Sequence, residues 1–238
     1  MATEACGEKG QVQLLGGSLS SFVLRVRIAL ALKGIDYEFI EENMQNRSQL
    51  LLQSNPVHRK IPVLIHNGKP VCESMIIVQY IDEAWDTKAP NLMPKDPYDL
   101  AIARFWAAFV DDKLVPCMRR VFAGHGEQLQ KEAEDLVTNF HLIEEALRTN
   151  SCFSGKAYFG GDKIGLLDIA LGGMLAVLKG LEKATDTVII DPEKMPLLSA
   201  WMDRFCQSNG VKEVMPDPAK QLESLSARRA RLASPAGN

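Results

Sequence analysis

The 238-residue chain predicts two parts, a small α/β domain followed by a larger all-helical domain. Three observations carry that prediction. Over the first third, apolar residues switch between a period of two and a period of 3.6, in the order β-α-β-α-β-β-α. Residues 86–97, "DTKAPNLMPKDP", are polar with three prolines, which reads as a linker. After that, every periodic segment is helical. The expected division is 1–85, a linker over 86–97, and 98–238.

In chain order, "QVQLLGG" reads as a strand running into a glycine turn. Phe22 to Lys33 reads as a helix with Val23, Val26, Ala29, Leu30 and Lys33 on one stripe, and Gly34 stands where a helix ends. "DYEFIEE" is a short alternating strand, and "SQLLLQSN" a helical turn or two closed by Asn55-Pro56. "IPVLIHNGKPVC" is a hairpin turning at Asn67-Gly68, a type I′ signal. "ESMIIVQYIDEAW" returns to helix. Two strand–helix–strand units predict parallel pairing, with the hairpin as an antiparallel edge.

In the second part, "DLAIARFWAAFVDDKLVPCMRRVF" is one long helix, kinked by Pro116. "EQLQKEAEDLVTNFHLIEEALRTN" is amphipathic. "LLDIALGGMLAVLKGLEKA" is nearly all apolar and reads as one buried central helix. "PLLSAWMDRFCQSN" and "DPAKQLESLSARRARL" complete the set.

Composition excludes several classes. With 46% hydrophobic and 24% charged residues the chain can bury a core, and a net charge of −3 gives no electrostatic footprint for nucleic acid. The basic "SARRARL" at 226–232 reads as a solvated terminus. Cysteines at 6, 72, 117, 152 and 206 are odd in number and lack metal-type spacing. That argues against a disulfide framework and a metal site, and for a reducing, cytoplasmic location. "MATEACGEKG" has no apolar leader, no uncharged run is long enough to span a membrane, and "SPAGN" is no address signal.

The chemistry-bearing residues cluster in the first part. Ser18, Ser20 and Ser21 stand at the mouth of the first helix, where a hydroxyl caps the helix or faces a ligand. Pro62 opens the third strand; a cis Ile61-Pro62 bond would turn the Ile61 backbone outward to pair with a ligand's backbone. Together with the element order, this proline makes the thioredoxin-like pattern. Ser74 reads as an N-cap with Glu73 beside it. A helix start attracts a carboxylate, and Glu73 would pair with an ammonium. Arg47, Arg59 and Lys60 are cations for a second carboxylate, while His58 reads as a surface histidine. Together they describe a pocket for a small peptide with two carboxylates, an ammonium and a backbone segment. Glutathione has those groups.

"SSFVLRVRIALALKGIDYE", "NPVHRKIPVLIHNGKPVCES" and "VQYIDEAW" resemble the tau class of plant glutathione transferases, and "ARFWAAFVDDKL", "YFGGD" and "LLDIAL" extend the resemblance more loosely. It implies that family's fold, its conjugation of glutathione to hydrophobic electrophiles, with peroxide reduction by the same thiolate, and a homodimer. It implies Ser20 as the active serine, with Ser21 in place of the usual proline. Arg47 stands where the family has a lysine. Asn55, Lys60, Ile61 and Pro62 match positions near the tripeptide, and Glu73 and Ser74 match readers of its γ-glutamyl end. The electrophile pocket is expected at Phe22, Val115, Arg119, Phe122 and Val177. Aliphatics at Val115 and Val177, where the family often has aromatics, suggest a roomier pocket. A carrier of apolar metabolites is the alternative. Asp168 matches a helix-capping acid whose partner position is Gly165, so the reciprocal side-chain box is incomplete.

A thiol with a pKa of about 8.5 is only a few per cent thiolate near neutrality. Lowering that value by ~1.5 to 2 units takes about 2 to 3 kcal/mol, close to one charge-assisted hydrogen bond from a hydroxyl. A cysteine at position 20 would instead make mixed disulfides. Cys72 is expected in the core and cannot replace it. Met75 and Tyr80 on the third helix are the expected dimer contacts.

Overall fold

The computed structural model describes residues 11–233. Residues 1–10, with Cys6, and the final "SPAGN" lie outside the described residues.

β1 (Val12–Gly16) is central, and the sheet order is β2-β1-β3-β4, with β2 at Glu38–Glu41, β3 at Val63–His66 and β4 at Lys69–Cys72. β1 pairs with β2 in parallel and with β3 antiparallel. The second strand–helix–strand unit therefore does not return a parallel neighbour. α2 (Gln49–Ser54) is too short to carry a full crossover, and residues 55–62 bring the chain back before β3 begins. The hairpin forms as expected, with Asn67 and Gly68 both at positive φ (52° and 74°).

Both faces of the sheet are covered. Val12, Leu14 and Leu64 join the large core with α1 (Ser21–Leu32) and α3 (Ser74–Ala84). Leu15, Val63 and Ile65 form a second cluster with Leu51 of α2. That is why β1 is apolar on successive residues instead of alternating.

Helices α4 (Pro97–Phe109) and α5 (Val115–Ala123) are joined by a π-helical turn, Val110–Leu114. The expected kink at Pro116 takes this form: proline offers no N–H to the preceding turn and its ring crowds that turn's carbonyl. α6 spans Gly126–Thr149. The expected single central helix is two, α7 (Leu166–Gly172) and α8 (Leu175–Thr185). At the break, a Cβ on Gly172 would lie 2.1 Å from the Phe205 ring, and one on Gly173 would lie 2.5 Å from Arg25 Cγ. α9 (Pro196–Gln207) and α10 (Pro218–Ala233) complete the chain.

The linker is pinned at both sides by a buried pair. Lys33 Nζ lies 2.6 Å from Asp82 Oδ1 and also donates to the carbonyls of Trp85 and Lys88. Asp82 in turn accepts from Leu92 N (2.8 Å) and Met93 N (3.0 Å), while Leu92 O accepts from Leu166 N of α7. Lys33 thus sits on the inward stripe as expected, as a paired cation. Removing one member of a buried pair leaves the other charge without its partner. Lys33→Met is expected to cost about 3 kcal/mol in urea unfolding.

Candidate functional site

Ser20 is the N-cap of α1. Its Oγ accepts from Val23 N at 3.5 Å, and its own N–H reaches Gly17 O at 2.9 Å. The hydroxyl hydrogen is not used in that cap, so it is free to donate to an anion. Ser18 differs: its N–H and Oγ both point to Glu41 Oε1, at 3.1 and 3.3 Å. Ser21 is the first residue of the helix, a position that favours but does not require proline, and the helix starts there all the same.

A cavity of about 560 Å³ opens beside these serines, in the size range of small-molecule sites. Ser20, Ser21, Phe22, Lys60 and Ile61 line it from the first domain, and Val115, Arg119, Phe122 and Val177 from the helical domain. Eight residues singled out from sequence are therefore brought together: Ser20, Phe22, Lys60, Ile61, Val115, Arg119, Phe122 and Val177. Arg47, Asn55, Pro62, Glu73 and Ser74 do not line it. Arg47 is exposed in the loop before α2. Pro62 is buried behind Ile61, and the Ile61–Pro62 bond is cis. Asn55 uses its amide within its own loop, accepting from His58 N (3.1 Å) and donating to Lys60 O (2.9 Å). It positions Lys60. His58 is half-exposed, 3.9 Å from the Glu73 carboxylate.

The α3 start departs from the expected cap. Glu73, not Ser74, is the N-cap residue, and no side chain caps it. Glu73 sits at φ 70°, ψ 118°, a conformation that costs a non-glycine residue about 1–3 kcal/mol. Ser74 is the first helical residue, and its buried Oγ accepts from Arg25 Nη1 at 3.2 Å. The fully buried Arg25 also donates to Ala170 O at 3.0 Å and makes a two-pronged pair with Asp111, at 3.1 and 2.7 Å.

Several nearby groups are not reactive. Cys72 is partly exposed where a core position was expected; its thiol points to Ser54 O at 3.6 Å, and burial pushes its pKa up, followed by the Glu73 charge. Asp168 is wholly buried and accepts from the backbone N–H of Phe159, Gly160 and Gly165 and from Trp201 Nε1. Burial outweighs those four donors and carries its pKa from 3.8 to about 6. With glycine at 165 there is no reciprocal hydroxyl. A Cβ there would lie 2.8 Å from Gly160 Cα, so the two backbones are in contact.

The family model for the glutathione S-transferase N-terminal domain matches residues 10–83, and that for the C-terminal domain matches residues 98–209. Glutathione S-transferase U18 of Arabidopsis thaliana is 46% identical over 224 residues, 94% of this chain and 95% of its own length. The chain belongs to the tau class of glutathione transferases. Glutathione S-transferase U17 of the same plant is 48% identical over 213 residues, 89% of this chain and 93% of that one. The solved tau-class transferase of mango aligns with a TM-score of 0.85 at 46% identity, covering 94% of this chain and 99% of that one. A rice transferase crystallised with glutathione aligns at 0.86 and 35% identity, with the same coverage.

Helical spacing would have found several lining residues that the sequence reading missed. Met118 falls between Val115 and Phe122 on one face of α5, and Met174 and Leu181 flank Val177 at i−3 and i+4. Leu225 and Arg228 of α10 also line the cavity. The basic tail read as a solvated terminus is therefore in part a wall of the site.

Glu73→Gly, which removes the backbone strain, is expected to unfold at a temperature no lower than the parent protein. Glu73→Val, β-branched at the same φ, is expected to lose about 1–2 kcal/mol. Thermal unfolding of the pair checks both.

Proposed function

We propose that this transferase conjugates the thiolate of glutathione to hydrophobic electrophiles, with Ser20 as the group that stabilises the sulfur. The observation that carries the reading is the Ser20 hydroxyl. It caps α1 as an acceptor, keeps its hydrogen, and faces a cavity walled by both domains. Donation to sulfur favours the charged form, as does the positive end of α1. The thiolate then attacks an electrophile held against Phe22, Val115, Phe122 and Val177. The same thiolate reduces a hydroperoxide when a second glutathione takes up the resulting sulfenic acid, giving glutathione disulfide, alcohol and water.

In this reading Glu73 pairs with the γ-glutamyl ammonium and the Ser74 N–H receives its carboxylate. Arg47 and Lys60 attract the glycyl carboxylate, and the Ile61 backbone pairs with the cysteinyl segment. No metal takes part. The partners are glutathione and small electrophiles, with neither nucleic acid nor membrane; among the described residues no helix is long and apolar enough to cross a bilayer. The expected cytoplasmic location suits a reaction that consumes reduced thiol.

The homodimer is proposed on α3 and α4. Met75 and Tyr80, the expected contacts, are half-buried, and Tyr80 is hydrogen-bonded to His66 at 2.8 Å. The outward apolar residues are instead Ile76 of α3 and Tyr98 and Phe105 of α4, with Arg104 of α4 tied to Gln79 of α3. Exposed apolar groups on adjoining helices fit an interface between copies.

Ser20→Ala is expected to lower kcat about 100-fold and raise the pKa of the bound thiol by ~1.5 units, with glutathione affinity nearly unchanged. The measurements are steady-state turnover with 1-chloro-2,4-dinitrobenzene and thiolate absorbance in the binary complex. Ser21→Ala serves as the control. Conjugation by neither parent nor variant would favour the carrier reading, and an unchanged thiol pKa would remove Ser20 from the mechanism. Replacing both Ile76 and Phe105 with Glu is expected to turn a dimer into a monomer in sedimentation.

A further inference from the structure

The cavity holds more positive charge than glutathione needs, and the surplus comes from the helical domain. Lys60, Arg119 and Arg228 line it, and among the described residues none that lines it is an Asp or Glu. Lys60 is already assigned to a glycyl carboxylate. Arg119 and Arg228 come from α5 and α10, in the helical domain.

The helix that carries Arg228 is held in place by the residues beside it. Arg229 donates to Phe122 O (2.6 Å) and Gly124 O (2.8 Å), placing a cation on the C-terminal carbonyls of α5. Along the same helix, Leu225 packs so closely on α8 that a Cβ on Gly180 would meet its Cδ1 at 2.5 Å. These two contacts fix α10 between α5 and α8. Arg228 then lies with its guanidinium carbon 5.4 Å from the centre of the Phe122 ring. Arg119 is one turn before Phe122 on α5. Arg120, its neighbour, is paired with Glu132.

We infer that the cavity selects electrophiles carrying a carboxylate on an apolar, unsaturated body, which Arg119 and Arg228 hold at its open rim while the reactive carbon faces Ser20. This rests on the conjugation reading above and names its substrate class. Guanidinium groups are planar, weakly hydrated and matched to carboxylate geometry. The two phenylalanine rings of the cavity each carry a guanidinium, Arg25 over Phe22 at 5.2 Å and Arg228 over Phe122. Each therefore has one face fewer for aromatic stacking. The body contacts are Met118, Met174 and Leu181, flexible or aliphatic side chains suited to an extended chain. An α,β-unsaturated ketone with a terminal carboxylate satisfies this set. The thiolate bonds to the β-carbon, the carbon–carbon π pair moves onto the carbonyl oxygen as an enolate, and water returns a proton to the α-carbon. No leaving group departs, and no external oxidant or reductant is needed.

The test uses the full chain with glutathione and three electrophiles: ethacrynic acid, its methyl ester, and neutral 1-chloro-2,4-dinitrobenzene. The readout is the acid-to-ester ratio of kcat/KM within each variant, each rate divided by its uncatalysed rate, so that a general loss of activity cancels. In the parent protein the ratio is expected to be about 10 at low salt and to fall as salt is added. Arg228→Gln and Arg119→Gln should each lower it, and the double substitution should bring it to about 1, while Arg228→Lys should retain part of it. A parent ratio of 1 or less, or a ratio unchanged in the double variant, overturns the inference. If the neutral aryl chloride is conjugated in the same experiment, the conjugation reading survives that failure. If no electrophile is conjugated, the conjugation reading itself fails and this inference with it.

Discussion

One buried guanidinium connects the parts on which the site depends. Arg25 leaves α1 five residues after the Ser20 cap and reaches three places at once: Ser74 at the start of α3, Asp111 in the π-helical turn, and Ala170 O in α7. The first two belong to different domains, and the third belongs to a helix whose every residue is buried. A cation with no exposed surface is tolerable only if its donors are matched, and four contacts with a two-pronged carboxylate do that. Gly173 leaves room for the aliphatic stem. Lysine could not replace it, since a point charge on a flexible stem cannot hold three partners in fixed directions. The Ser20 cap, the Ser74 helix start and the helical wall of the cavity are thereby held in one frame.

Three buried carboxylates, two of them in the helical domain, repeat this use of buried charge with the sign reversed. Asp168 gathers the N–H groups of Phe159, Gly160 and Gly165, organising the loop before α7. Glu144, buried on α6, accepts from Leu197 N and Leu198 N and so caps α9, whose own preceding residue, Met195, offers no acceptor. Asp82 does the same for the linker at Leu92 and Met93. In each case a carboxylate from one element satisfies the orphan donors of another. Burying the charge and ordering the loop become one event, and the element that carries the acid sets where the loop lies.

Much of the first domain was legible because its signals are local. Asn67-Gly68 specifies a turn by backbone conformation alone, and Ser20 and Gly34 bracket α1 by rules that act within a few residues. Ser20, Phe22, Lys60 and Ile61 of the cavity lining were read from those elements and from family motifs, while Leu19 and Met44 were not. Features set by distant contacts were not legible. The direction of β3 depends on how residues 55–62 return over the sheet. The break between α7 and α8 is decided by the Phe205 ring and by Arg25, neither adjacent in sequence. Arg229 looks like part of a solvated basic tail until its carbonyl partners at Phe122 and Gly124 are seen. Ser74 satisfied the pattern of a cap, yet Glu73 took that position, because the helix begins one residue earlier than the hydroxyl suggested.

The two halves of the cavity are built by different means, and this bears on how each tolerates change. On the first-domain side the proposed functional groups are a helix cap and a backbone segment before a proline. These are features of chain conformation, so altering them disturbs the fold. On the helical side they are side chains at i, i+3, i+4 and i+7 on continuous helices, with α10 laid across them. Exchanging Val115, Arg119 or Val177 changes what lines the cavity while leaving the helix path intact. A chain divided this way can keep one chemistry at sulfur and vary its electrophile independently, and the small aliphatics and arginines that line this chain's cavity lie on the side where such variation is least costly.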